Sequence, residues 1–166
     1  GVDIGSSFTK AVVIDAAGTV LAASVLKTGM DFEAASRRAL AEAAAEGPRA
    51  VATGVGRSRC LHKPPSKPEI SCIARGSYHG LPRAHVVVDI GGQDNKVVRV
   101  AEGGRQLDFK LNRKCAAGTG AFLEEIARRL DLAPERLSEM ARRAAKAVEI
   151  GSYCTVFTCT EIIHHI

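Results

Sequence analysis

Residues 89–96 read DIGGQDNK and follow directly on the apolar run HVVV at 85–88, and residues 1–10 read GVDIGSSFTK. Both stretches carry a strand into Asp-Ile-Gly and then into small hydroxyl or amide residues. A buried sheet has no use for that ending. A phosphate group does, because glycine lets backbone N–H groups come close to an anion. Gly5, Gly91 and Gly92 are the close-approach positions. Ser6, Ser7 and Thr9 offer hydroxyl donors, and Lys10 offers a positive charge. Asp3 and Asp89 stand at equivalent points of the two stretches and suit a Mg2+-bound water or the orientation of an attacking water, which Gln93 can help position.

Each stretch opens a similar series of elements. In the first, GVDIG is a short buried strand, SFTKAVVID returns antiparallel to it, and VLAASVLKT is a third strand. Asp31 is the expected N-cap of a helix over FEAASRRALAEAAAE, with Phe32, Ala35, Ala39, Leu40 and Ala43 on one apolar face and Gly47-Pro48 as its stop. RAVATGVG then reads as a fourth strand entering a glycine loop, LHKPPSKP as a loop, and EISCIARGSY as a helix. The series restarts with HVVVDIGG, NKVVRVAEGG and RQLDFKLN as three strands. A helix follows from about Thr119, with Phe122, Leu123, Ile126, Ala127 and Leu130 on one face. A last one starts at Pro134, with Leu137, Met140, Ala141, Ala144 and Val148 inward. The order β-β-β-α thus occurs twice. It predicts an α/β chain of two lobes, 1–82 and 83–166, the second cut off before its layer is complete; with no initiator Met, the chain reads as a fragment.

No GxxxxGK[ST] occurs, which excludes a P-loop. Gly118-Thr119-Gly120 begins a GxGxxG without its third glycine; these three residues are counted with the nucleotide contacts. One Asp-Ile-Gly is a weak signal, since Asp and Gly end many strands, but two at matched points of a repeat are a strong one. Together they resemble the first and second phosphate loops of the acetate kinase, sugar kinase, Hsp70 and actin superfamily. That resemblance implies a duplicated ribonuclease-H-like (actin-like ATPase) fold with ATP in the cleft between the copies.

Composition narrows the partners. The formal charge is +5, and its paired clusters, Arg128-Arg129 and Arg142-Arg143, read as solvated helix faces. Aromatic residues make up 4 % and Trp is absent, so stacking platforms for nucleic acid are not expected. No apolar run reaches the length of a membrane span. The five cysteines, Cys60, Cys72, Cys115, Cys154 and Cys159, are odd in number. Without a secretory leader, that disfavours a disulfide framework and points to a reducing cytoplasm.

Cys115 lies in NRKCAAGTGAFLEEIA, a small-residue loop just before a helix N-terminus. Free N–H groups and the helix dipole there favour a thiolate; a buried cysteine in a tight turn is the plainer reading. Cys154 and Cys159 lie in GSYCTVFTCTEII. A four-iron cluster needs four thiolates, and two copies giving two each would supply them.

NRKCAAGTGAFLE together with CTVFTCTEI resembles the ATP-dependent activators of 2-hydroxyacyl-CoA dehydratases and the ATPase subunits of benzoyl-CoA reductases; ATGVGR and EISCIARG match further stretches. The resemblance covers Gly1 to Ile166. It implies that Cys115 and Cys154 of each of two chains hold one [4Fe–4S] cluster in a homodimer. A ferredoxin or flavodoxin would donate electrons, and an iron–sulfur dehydratase or reductase would accept them, driven by ATP hydrolysis. The usual motifs read NDKCAAGTGRFL and CTVFAESEV, so Arg113 replaces Asp, Ala121 replaces Arg and Cys159 is an extra thiol. Ile73 also stands where His is common. Cys159 reads as a buried side chain rather than a spare thiol or alternate ligand, Cys60 and Cys72 read as structural, and His164-His165 point about 100° apart on a helix, which disfavours a metal pair. A sugar or acyl kinase of the same superfamily, or a nucleotide-sensing scaffold, is the rival reading; both predict a protein without iron.

Overall fold

A computed structural model describes residues 1–44, 49–112, 118–151 and 154–166. Packing groups the chain into two units, Gly1–Val87 with Val98–Phe109, and Val88–Val97 with Lys110–Ile166. The grouping follows which segments touch, whereas the lobes read from the sequence repeat follow chain order.

The first copy of the repeat forms a four-stranded sheet from β1 (Val2–Ile4), β2 (Phe8–Ile14), β3 (Val20–Lys27) and β4 (Ala52–Thr53), in the order β3-β2-β1-β4. β1 and β2 pair antiparallel with Asp3 opposite Lys10, and β2 and β3 pair antiparallel with Ala11 opposite Ser24. β4 lies parallel to β1, with Val2 opposite Ala52. A parallel partner needs a crossover, and α1 (Phe32–Glu42) supplies it. The Asp31 carboxylate caps α1 by accepting from the Glu33 and Ala34 N–H groups at 3.0 Å each. Ala35 and Ala39 of α1 and Ala43 just beyond it recur every fourth residue and are buried, so the helix lies close on the sheet. The core beneath it joins Val2, Ile4, Ala11, Ala39, Ala43, Ala52 and Cys60, with Val13, Leu26, Phe32 and Leu40 packed at its edge.

Two expectations change here. The fourth strand is shorter than RAVATGVG predicts. It ends at Thr53, because the next residue, Gly54, has a φ of +87°, outside the strand range, and a 3-10 turn at Arg57–Arg59 follows. α1 ends at Glu42, and its expected stop at Gly47-Pro48 lies outside the described residues.

α2 (Glu69–Gly80) packs on a 3-10 turn at Glu102–Gly104. Ala74 joins Val98 and Val100 in a second small core edged by Ile70, Ile73, Tyr78 and Val87. Glu102 ties this corner together, accepting from Ala84 N–H at 2.9 Å and Tyr78 Oη at 3.0 Å. These bonds to the charged form hold its carboxyl below the ordinary value, the Ala84 amide contributing most. The second sheet has the order β5-β6-β7, from β5 (His85–Ile90), β6 (Asn95–Val100) and β7 (Gln106–Asn112).

α3 (Gly120–Arg129) buries Ile126 and Ala127. Phe122 and Leu130 are half-buried, but Leu123, expected on the same face, is exposed. α4 (Pro134–Arg143) starts on Pro134 as expected, yet half-buries only Leu137 of its predicted inward set. Met140 and Ala141 are exposed, Ala144 caps the helix end and Val148 lies beyond it. The physical reason is that, among the described elements, α4 packs mainly on α3, so a sequence stripe wide enough for a core stays largely uncovered. α5 (Thr155–His164) completes the chain and buries Thr158 and Cys159. Among the described residues, no helix is long and apolar enough to cross a membrane.

Candidate functional site

The turn after β1 is made by Gly5. Its N–H donates to Phe8 O at 3.0 Å, and a Cβ at Gly5 would stand 2.8 Å from that same oxygen. The chain can therefore double back within Gly5–Ser7 only with glycine in that place. The β1–β2 register sets Lys10 opposite Asp3, and Lys10 Nζ donates to Asp3 Oδ2 at 2.9 Å. Asp3 Oδ1 is buried and has no partner. Gly54 abuts it so closely that a Cβ would overlap the oxygen. A carboxylate oxygen left bare in a glycine-lined cradle is suited to a Mg2+ ion or its water, and that chemistry fits the donor set.

The turn after β5 repeats this construction. Gly91 N–H donates to Asp94 O at 2.9 Å, and a Cβ at Gly91 would stand 2.7 Å from that oxygen. Lys96 Nζ lies 3.5 Å from Asp89 Oδ2 and 2.5 Å from Asp94 Oδ1. Asp3, Gly5 and Lys10 thus recur as Asp89, Gly91 and Lys96 at identical spacing, each with an aspartate–lysine pair across the turn. The copies differ in exposure. Lys10 is exposed, so its pair adds on the order of 0–1 kcal/mol. Lys96 is 4 % exposed and depends on its carboxylates to offset desolvation. Lys96 and Asp94 were missed in the sequence, although the shared D-x-G-x-x-x-x-K spacing was there to find them.

The other expected contacts fall as follows. Ser6 and Ser7 are half-buried in the first loop, and Gln93 is exposed in the second. Thr9 is fully buried, its hydroxyl 2.9 Å from that of Thr28. Thr28 spends its proton on Gly5 O at 2.8 Å, so Thr9 must donate to Thr28. Thr9 therefore braces the loop from behind instead of presenting its hydroxyl to a phosphate. Gly118, Thr119 and Gly120 lead into α3, whose first amides are engaged: Gly120 N–H donates to Gly91 O at 2.9 Å and Ala121 N–H to Gly92 O at 3.3 Å. The expectation of free N–H groups at that helix start is corrected at these two positions.

Cys115 and Arg113 lie outside the described residues. Cys154 is half-buried at the N-cap of α5, where its carbonyl accepts from Thr158 N–H at 2.9 Å. A cysteine sulfur at that helix start is the donor type an iron–sulfur cluster takes as ligand. Cys159, one turn on, is buried. Burial pushes the Cys60 thiol up, only partly opposed by its bond to Ser36, which suits a packed and unreactive cysteine; Cys72 is half-buried. His164 and His165 meet edge to face and, among the described residues, no three His, Cys, Asp or Glu side chains gather as a metal site.

A duplicated ribonuclease-H-like fold with an aspartate–glycine–lysine turn in each copy defines the class as the actin-like ATPases. Within it, the sequence model of the BadF/BadG/BcrA/BcrD ATPase family matches residues 1–166, and the chain belongs to that family. The activator of lactoyl-CoA dehydratase from Anaerotignum propionicum is 38 % identical over 170 residues, covering 98 % of this chain and 65 % of its own length. Component A of the (R)-2-hydroxyglutaryl-CoA dehydratase of Acidaminococcus fermentans superposes with a TM-score of 0.86 at 34 % identity, over 99 % of this chain and 66 % of that one. The activator of the 2-hydroxyisocaproyl-CoA dehydratase from Clostridium difficile, solved with bound ADPNP, gives a TM-score of 0.86 at 33 % identity, over 99 % of this chain and 64 % of that one. The chain thus spans just under two thirds of the length of these relatives.

Proposed function

We propose that this chain is the nucleotide-hydrolysing part of an activator that delivers single electrons to a 2-hydroxyacyl-CoA dehydratase or a benzoyl-CoA-type reductase. The observation that carries the reading is the repeated Asp-Gly-Lys turn, whose second copy is bonded through its glycine carbonyls to the helix that follows Cys115.

In this reading the backbone of Gly5–Ser7 and of Gly91–Gln93 cradles the phosphates of ATP, with Lys10 balancing their charge. Asp3 holds Mg2+ through its bare Oδ1, and Asp89 with Gln93 orients the attacking water. Phosphoryl transfer asks little covalent chemistry of a protein, so positioning and charge neutralisation are what these residues supply. Gly118, Thr119 and Gly120 back the second loop. Cys115 and Cys154 from each of two copies hold one [4Fe–4S] cluster, which when bound supplies a one-electron carrier. A ferredoxin or flavodoxin donates, and an iron–sulfur dehydratase or reductase accepts. The repeat copies 1–82 and 83–166 are the two lobes, and the working compartment is a reducing cytoplasm, where free thiols persist.

The test is reduction of the acceptor enzyme by the full-length, anaerobically prepared protein with a ferredoxin donor, comparing ATP with ADPNP. Transfer with ATP and little with ADPNP supports the reading. Equal transfer with both removes the coupling, and phosphorylation of a small molecule in its place would make the protein a kinase.

A further inference from the structure

The turn between β5 and β6, together with Asn95 at the start of β6, is joined to the entrance of α3 by three hydrogen bonds. Two are the backbone bonds from Gly120 and Ala121 to Gly91 O and Gly92 O. The third comes from Asn95, whose Nδ2 donates to Gly118 O at 3.5 Å, the long end of the range. Asn95 Oδ1 is buried with no partner. Turning the carboxamide end for end would set Oδ1 against Gly118 O, acceptor facing acceptor, so the chemistry fixes its orientation. Asn95 is therefore half-satisfied, held by one long bond that any tightening of the loop would shorten.

Peptide geometry makes this contact more than a brace. Gly91 C=O and Gly92 N–H belong to one rigid peptide plane, and Gly92 C=O and Gln93 N–H to the next. An anion that turns the Gly92 and Gln93 amides toward itself must also turn the two carbonyls that hold the start of α3. The first copy lacks this arrangement. Its equivalent residue, Thr9, is spent on Thr28, which returns to Gly5 of the same loop. One loop is braced internally, and the other is tied outward.

We infer that Asn95 is a positioning residue that couples the second phosphate loop to the start of α3, so that an anion seated on Gly91–Gln93 shifts the chain at Gly118–Ala121. The inference rests on the nucleotide reading above, and its test separates the two. Amide hydrogen exchange is measured on the full-length protein with and without ADPNP, for the parent, Asn95→Ala and Asn95→Thr; Thr is the residue of the first copy and is at home in a strand. In the parent, ADPNP slows exchange at both 91–94 and 118–123. In the variants the slowing at 91–94 persists and ADPNP affinity stays within about twofold, while protection at 118–123 falls about fivefold, the scale of one lost hydrogen bond. Undiminished protection at 118–123 in a folded variant overturns the coupling. So does a parent protected at 91–94 alone, a result that needs neither variant to fold. A parent unprotected at 91–94 overturns the nucleotide reading itself, and the coupling with it.

Discussion

Gly54→Ala is the substitution whose cost the structure sets most clearly. Gly54 has a φ of +87°, and a Cβ there would overlap Asp3 Oδ1 and Ile4 O and stand 2.7 Å from the Ile4 carbonyl carbon. The left-handed backbone alone costs an alanine about 1–2 kcal/mol. The overlap cannot be relieved by a flexible side chain, because Ile4 is a fully buried strand residue paired to Thr9. Moving it also strains the Gly56 N–H bond to Ile4 O, now 2.9 Å, worth about 1 kcal/mol. The sum is about 2–4 kcal/mol, or a fall in Tm of roughly 5–15 °C for a chain of this size. Gly29→Ala is the matched control: φ is +69° with nothing within 4 Å of its Cβ, so only the backbone cost of about 1–2 kcal/mol remains. Urea denaturation of the two full-length variants beside the parent measures both. Equal losses would refute the reasoning, since the packing of Gly54 against β1 would then contribute nothing.

Three further outcomes follow from the same contacts. Lys96→Met leaves Asp89 and Asp94 without their shared cation and should cost about 2–4 kcal/mol by denaturation, below the largest buried-pair values because both carboxylates are partly solvated; Lys10→Met, at an exposed pair, should cost under about 1 kcal/mol. Thr9→Val should lower stability by about 1 kcal/mol while leaving the KM for ATP within about twofold, as assayed by phosphate release, because its hydroxyl serves Thr28. Glu102 has its folded-state pKa depressed, so its contribution to stability is full above the unfolded carboxyl value of about 4.3 and is lost as pH falls through the folded value. Denaturation midpoints at pH 6 and pH 3 should accordingly differ less in Glu102→Gln than in the parent.

The strands around both loops were legible because Asp-Ile-Gly punctuates each in the same way, and α1 was legible because Asp31 and the Ala35–Ala39–Ala43 spacing agree. α4 misled: its apolar positions fit a helical stripe, but a stripe shows which face is apolar and not how many neighbours will cover it. Thr9 misled because a hydroxyl beside glycine reads as a phosphate donor, whereas strand alternation from Asp3 and Lys10 turns it inward to Thr28. Lys96 was overlooked because a lysine inside a strand reads as solvated, and only the register across the turn shows it folding back on Asp89 and Asp94. Asn95 carried no signal of its own, since its role depends on Gly118, more than twenty residues away.

Iron analysis of the anaerobically purified full-length protein, paired with its solution mass and repeated for Cys115→Ala and Cys154→Ala, bears most directly on the redox assignment. The account predicts about four irons per two chains in the parent, and loss of that iron in either variant. An iron-free single chain, or iron retained in both variants, would contradict it.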